Sequence, residues 1–226
     1  MKVTYHSHSV VRIETKAGIT LLIDPFITGN ELCDLDVETV DPDYILVSHA
    51  HEDHLGDTVE IAKRTGAKII TTVELAEYLS HFDLDTHGMQ PGGSHEFEFG
   101  KIRLTPAIHG SSLTVDGLPQ TLGLATGILI KADGKTIYHL GDTALYSDMK
   151  LIGELNNIDL AFIPIGDNFT MGPADALLAA RWLQAKKVVP IHYNTFPLIK
   201  QDPEEFIKAL EESEGCIPRF GEKIII

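Results

Sequence analysis

Residues 44–54 read Tyr-Ile-Leu-Val-Ser-His-Ala-His-Glu-Asp-His. The run Tyr44–Ser48 is short and apolar, which predicts a buried strand. It leads directly into Ser48-His49-Ala50-His51-Glu52-Asp53-His54, after which Asp57-Thr-Val-Glu60 has the spacing of a capping box and predicts a helix ending near Gly66. The histidines therefore occupy a strand-to-helix loop, where side chains converge on a point beyond the sheet edge. Three imidazoles and two carboxylates in six positions are costly to pack for structure alone. A buried neutral imidazole needs partners for both ring nitrogens, and a metal satisfies several such groups at once. Imidazole and carboxylate together suit zinc, manganese or iron.

Outward from this loop the chain alternates short strands with amphipathic helices. Val3–His6, Val10–Thr15 and Thr20–Asp24 precede it as β-branched or alternating runs. Lys68–Thr71 follows as a strand, and Thr71-x-x-Glu74 opens a helix with Leu75, Leu79 and Phe82 at helical spacing. The middle is β-rich, with strands predicted over Ser94–Phe99, Lys101–Ile108, Ala125–Lys131 and Thr136–Leu140, and a hairpin turn at Asp133-Gly134. Helices are expected over Ala144–Leu155, from Pro173 and from Pro203 with Asp202 as its cap. Strands are expected over Asp159–Ile163, Lys187–Ile191 and Gly221–Ile226. This order predicts a layered α/β protein with helices covering sheet, and residues 1–226 read as one domain without linker or repeat.

One loop cannot complete a metal site, so further ligands are sought at other strand ends. His109 follows Arg103–Ile108, Asp142 follows the strand that ends in His139-Leu140-Gly141, and His192 follows Val188–Ile191. All three share one local grammar: apolar strand, polar ligand, turn. Strand ends of a layered protein lie along an edge, so these residues can meet the histidine loop. Asn168 and Thr170 sit in a loop after Asp159–Ile163 and suit hydrogen bonding to a polar substrate, although turn chemistry explains them as well. Tyr193 is placed near the site by its neighbour His192.

His49-x-His51-x-Asp53-His54, followed in order by His109, Asp142 and His192, resembles the metallo-β-lactamase superfamily over essentially the whole chain. Asp24 in Leu21-Leu-Ile-Asp24-Pro25 matches that superfamily's early strand-end aspartate. Tyr5-His6-Ser7-His8-Ser9, Gly141-Asp142-Thr143 and Pro164–Pro173 are similar to a group of uncharacterised bacterial and archaeal metal-dependent hydrolases, itself similar to the L-ascorbate-6-phosphate lactonases. Ser7 departs from the pattern, which has glycine before the histidine. The resemblance implies a four-layer αββα sandwich with two divalent cations, zinc or manganese. His49, His51 and His109 would hold the first, Asp53, His54 and His192 the second, and Asp142 would bridge them. Asp53 would also orient the attacking water, Asp24 would support a ligand loop, and His8 would reach the pocket. A homo-oligomer is a further expectation from the lactonases.

Composition narrows the function. Eighteen basic residues against 33 acidic ones give a formal charge of −15, which disfavours nucleic acid and anionic membrane surfaces. The two cysteines are far apart and suggest neither disulfide nor thiolate site. Neither a leader nor a membrane-spanning run is evident, so a cytoplasmic location is expected. The reading is a metal-dependent hydrolase of a small-molecule ester, lactone or phosphodiester. The competing readings are an iron-dependent oxidoreductase or dioxygenase on the same fold and a non-catalytic binding scaffold.

Overall fold

The computed structural model describes residues 1–226. In chain order the strands are β1 (Lys2–Tyr5), β2 (Val11–Glu14), β3 (Thr20–Ile23), β4 (Tyr44–Leu46), β5 (Lys68–Thr72), β6 (Thr86–Met89), β7 (Ser94–Phe97), β8 (Gly100–Pro106), β9 (Ser112–Val115), β10 (Leu118–Thr121), β11 (Thr126–Ala132), β12 (Lys135–His139), β13 (Leu160–Pro164), β14 (Lys187–Ile191), β15 (Glu214–Gly215) and β16 (Lys223–Ile224). The α-helices are α1 (Glu52–Leu55), α2 (Thr58–Thr65), α3 (Val73–Ser80), α4 (Met149–Leu155), α5 (Pro173–Leu183) and α6 (Pro203–Lys208). Two seven-stranded sheets form, ordered β16-β1-β2-β3-β4-β5-β6 and β15-β14-β13-β12-β11-β8-β7. In each, antiparallel strands on one side give way to parallel strands on the other.

The sandwich follows from strands that are apolar on both faces. In β3, Leu21 and Ile23 point into a core between the sheets, while Leu22 joins a second core with Ile61, Leu75 and Leu79 of α2 and α3. In β13, Leu160 and Phe162 enter the central core, while Ala161 and Ile163 meet Met149 of α4, Ala176 and Leu183 of α5 and Phe206 of α6. Helices thus cover both outer faces, giving the expected αββα order.

Several local expectations shift. The capping box at Asp57 is not formed: its carboxylate accepts from the Ile27 and Thr28 amides instead, tying α2 to the turn after Asp24. The helix expected from Ala144 begins at Met149. Residues 143–146 are held against the loop before His109: the Ile108 amide donates to Thr143 Oγ1, the Ala144 amide to the Ile108 carbonyl, and the Tyr146 hydroxyl to the Pro106 carbonyl. The β9–β10 hairpin was not anticipated, although Asp116-Gly117 has the same turn signature as Asp133-Gly134. All four residues have positive φ, as a two-residue type I′ turn requires.

Candidate metal centre

Strand direction gathers the polar residues. β1, β3 and β4 run the same way in one sheet, and β8, β12 and β14 do so in the other. His8, Asp24, the His49–His54 loop, His109, Asp142 and His192 follow the C-terminal ends of these six strands and meet at one edge of the sandwich. Gly141 makes one approach possible. Its φ is +60°, and a Cβ there would lie 2.6 Å from the Thr126 carbonyl oxygen and 3.0 Å from Ser48 Cβ.

His49 Nε2 and His51 Nδ1 are 3.0 Å apart, and His109 Nε2 is 3.2 Å from the same His51 nitrogen. Three ring nitrogens facing one another cannot all be satisfied by shared protons. Burial, together with the neighbouring imidazoles, lowers the pKa of all three rings despite the pull of nearby carboxylates, which favours the neutral form.

The adjoining group is held by carboxylates. His54 Nδ1 donates to Asp24 Oδ2 at 2.7 Å, and His54 Nε2 lies 3.3 Å from Asp142 Oδ1. His192 Nε2 lies 3.0 Å from Asp142 Oδ2 and 3.6 Å from Asp53 Oδ2. Burial disfavours the charged form of both imidazoles. The surrounding carboxylates overcome this, raising His54 well above its ordinary value and His192 to about 9. Burial likewise opposes ionisation of Asp53 and Asp142, and the same histidines hold both well below the usual carboxylate range.

His8, wholly buried, is lowered to about 4 by burial and then by His192. As a neutral ring it donates from Nε2 to Asp53 Oδ2 at 3.1 Å and accepts at Nδ1 from the Thr195 hydroxyl at 3.0 Å. Ser7 and His8 both adopt positive φ, at +84° and +53°, so Ser7 keeps the backbone shape that favours glycine. Asp24 Oδ1 accepts from the Ser48 amide and Oδ2 from the Ser48 hydroxyl, both at 2.7 Å, and Ser48 Oγ in turn accepts from His49 Nδ1 at 2.9 Å.

The residues fit metal ions. His192 Nδ1 is buried without any partner, and His54 Nε2, His192 Nε2 and Asp142 Oδ1 are buried with no aligned hydrogen bond, only ion-pair contacts of 3.0–3.6 Å among themselves and to Asp53. Such orphans are rare in folded proteins and call for a missing ligand. Three overlapping sets of donors lie close enough to hold a cation: His49, His51 and His109; His49, His54 and Asp142; and His8, Asp53, His54 and His192.

The centre opens into a cavity of about 920 Å³. Of the 165–171 loop, Phe169 lines it, whereas Asn168 and Thr170 do not. Thr170 Oγ1 donates to the Met171 carbonyl, and the Asn168 amide donates to Asp167 Oδ1. Tyr193 turns away from the cavity and packs against the core under α5 and α6. Sequence reasoning missed Ser48 and Thr195, which touch the centre, and the apolar cavity residues Phe26, Phe196 and Leu198. Adjacency to His49 was the only signal for Ser48, and only Asp116-Gly117 hinted at the hairpin that contributes Ser112 and Thr114.

A beta-lactamase superfamily domain matches residues 20–193. A UPF0173 metal-dependent hydrolase of Bacillus thuringiensis (strain Al Hakam) is 58% identical, the match covering all of both chains. The structure of Igni18, a metallo hydrolase from the hyperthermophilic archaeon Ignicoccus hospitalis KIN4/I, superposes with a TM-score of 0.89 at 38% identity, covering 99% of this chain and 97% of that one. Isothiocyanate hydrolase from Delia radicum gut bacteria shares the fold, with a TM-score of 0.77 at 22% identity and coverage of 100% and 99%. The chain belongs to the metallo-β-lactamase superfamily. Its relatives there are the UPF0173 metal-dependent hydrolases, and like them it is a metal-dependent hydrolase.

Proposed function

We propose that this chain hydrolyses an ester, lactone or phosphodiester bond of a small molecule with two divalent cations, zinc or manganese. His49, His51 and His109 hold one, Asp53, His54 and His192 the other, and Asp142 stands between. A bound pair supplies hydroxide at neutral pH and polarises the bond under attack. The observation that carries the reading is the convergence of buried His54, His192 and Asp142 atoms that make no aligned hydrogen bond, beside three mutually facing imidazoles.

The protein's own groups then have distinct tasks. Asp53 reaches the cavity and is kept ionised by His54, then His192 and His8, so it accepts a hydrogen bond from the attacking water and orients it. His8 fixes that carboxylate's direction. Asp24 locks His54 so that Nε2, not Nδ1, faces the centre. An acidic chain with no Lys or Arg lining this cavity is suited to small molecules rather than nucleic acid. No helix is long and apolar enough to cross a membrane.

The test is elemental analysis of metal-reconstituted protein alongside a panel of esters, lactones and phosphodiesters. Two zinc or manganese ions per chain with turnover on the panel is the expected result. One iron per chain would point to oxygen chemistry instead, and no retained metal would overturn the reading.

A further inference from the structure

The cavity has two unlike sides. One carries the ligand cluster. The other is built from Phe26, Phe169, Phe196, Pro197 and Leu198. The Phe26 and Phe196 rings lie 6.1 Å apart, and each meets the His8 ring edge-on at 5.4 Å. Hence the apolar wall starts immediately beside Asp53, to which His8 is hydrogen-bonded. At the mouth, Phe169 is 50% and Leu198 67% exposed. Apolar side chains gathered at a cavity rim mark a surface awaiting an apolar ligand.

The charge of the lining agrees. It contains no Lys or Arg, and its only charged residue outside the ligand cluster is Glu52. Ser112 and Thr114 add neutral hydroxyls. A phosphate or carboxylate on the part of the substrate remote from the centre would lose its water here with no cation in compensation.

We propose that the substrate is a neutral ester or lactone whose apolar portion, an alkyl chain of medium length or an aryl ring, packs against Phe26, Phe196 and Leu198. The cavity excludes substrates that carry an anionic group at that end, sugar phosphates among them. This rests on the hydrolytic reading above and adds the substrate class.

The experiment uses the zinc- or manganese-loaded protein and a series of γ-lactones with lengthening alkyl tails. Matched lactones whose tails end in carboxylate or phosphate complete the set. Each methylene added to a neutral tail is expected to raise kcat/KM about fourfold until the wall is covered, while the anionic tails lose that gain. Phe196→Ala should flatten the chain-length dependence, mainly through KM, with metal content unchanged. Leu198→Lys, at an exposed position, should raise kcat/KM for the carboxylate-tailed lactone relative to its neutral partner. Preference for anionic tails in the unmodified protein, or indifference to tail length, would overturn the inference and leave the hydrolytic reading standing. Absence of turnover on every lactone, ester and phosphodiester would sink the hydrolytic reading. Binding of the inert amide decanamide, compared with its carboxylate-ended analogue, then still decides the cavity's preference.

Discussion

The ring nitrogens of His49, His51 and His109 face chiefly one another, with Asp142 3.5 Å from His109 Nε2, whereas His192 and His54, whose ring lies 4.1 Å from that of His49, face carboxylates more closely. The same side chain is thus held in two charge states within one cluster. In the first half burial wins and the rings are neutral. In the second half burial is overcome by Asp142, Asp24 and Asp53, and the rings keep a proton. The difference teaches that burial alone does not set a ligand's readiness. A cation enters the first half without displacing an imidazolium proton, whereas the second half must release the extra proton of both His54 and His192.

The largest expected effect comes from breaking each half separately. His49→Ala and His192→Ala should each lower hydrolysis by more than about 100-fold, beyond the loss that mutating a supporting group produces. Their metal-free forms should differ. His192→Ala leaves Asp53 and Asp142 short of a partner and should cost about 3 kcal/mol in denaturant unfolding. His49→Ala removes a ring that faces other rings and should cost less. Equal losses would break the comparison.

A smaller effect follows from Asp24. Asp24→Asn keeps the shape and suits the positive φ of 45° at this position. It weakens the acceptor that fixes His54 Nδ1. Metal affinity of the second half or activity should fall by about 10- to 100-fold, read by competition with a chelator, with the fold intact by circular dichroism. An unchanged affinity would show that Ser48 and the loop alone orient His54.

The smallest effect is on pH dependence, and it sharpens the comparison by sign. His192 has a raised pKa, so its stabilising contribution to the metal-free protein is full below the unfolded imidazole value of about 6.5 and is lost as pH rises through about 9. His8 and the first-half imidazoles have lowered values and act in reverse. The unfolded chain binds protons that the folded one refuses, so stability falls as pH drops below about 6.5. Thermal melts of metal-free protein should therefore peak near neutrality and decline on both sides. With metal bound, the alkaline decline should disappear because the cation replaces the proton. Persistence of that decline would mean that His192 is not a ligand.

Much of the centre was legible because its residues obey local grammar. His49, His51, Asp53 and His54 fall within six positions, Asp142 and His192 follow largely apolar strands, and His109 follows the alternating strand β8. The layered order was legible for a related reason: strands alternate with amphipathic helices along the chain, and Leu21–Ile23 of β3 and all of β13 are apolar at successive positions, which demands cover on both faces. Other features were not legible, since no local pattern encodes them. Asp57 fits a capping box, yet two amides from the turn after Asp24 compete for its carboxylate and win. Tyr193 neighbours a ligand in sequence, yet the chain turns at His192, with φ +53°, and the ring enters the core.

Strand periodicity and an unusual density of imidazole are local properties, so the chain already marks which polar side chains sit at strand ends, and the family resemblance groups them into one site. Which protons those imidazoles keep emerges only on folding, since that depends on carboxylates brought from the ends of other strands. Folding alone also placed Phe26, Phe196 and Leu198 along one cavity wall. They are ordinary apolar residues in the chain, and they acquire a role only when strands from two sheets bring them to the same edge.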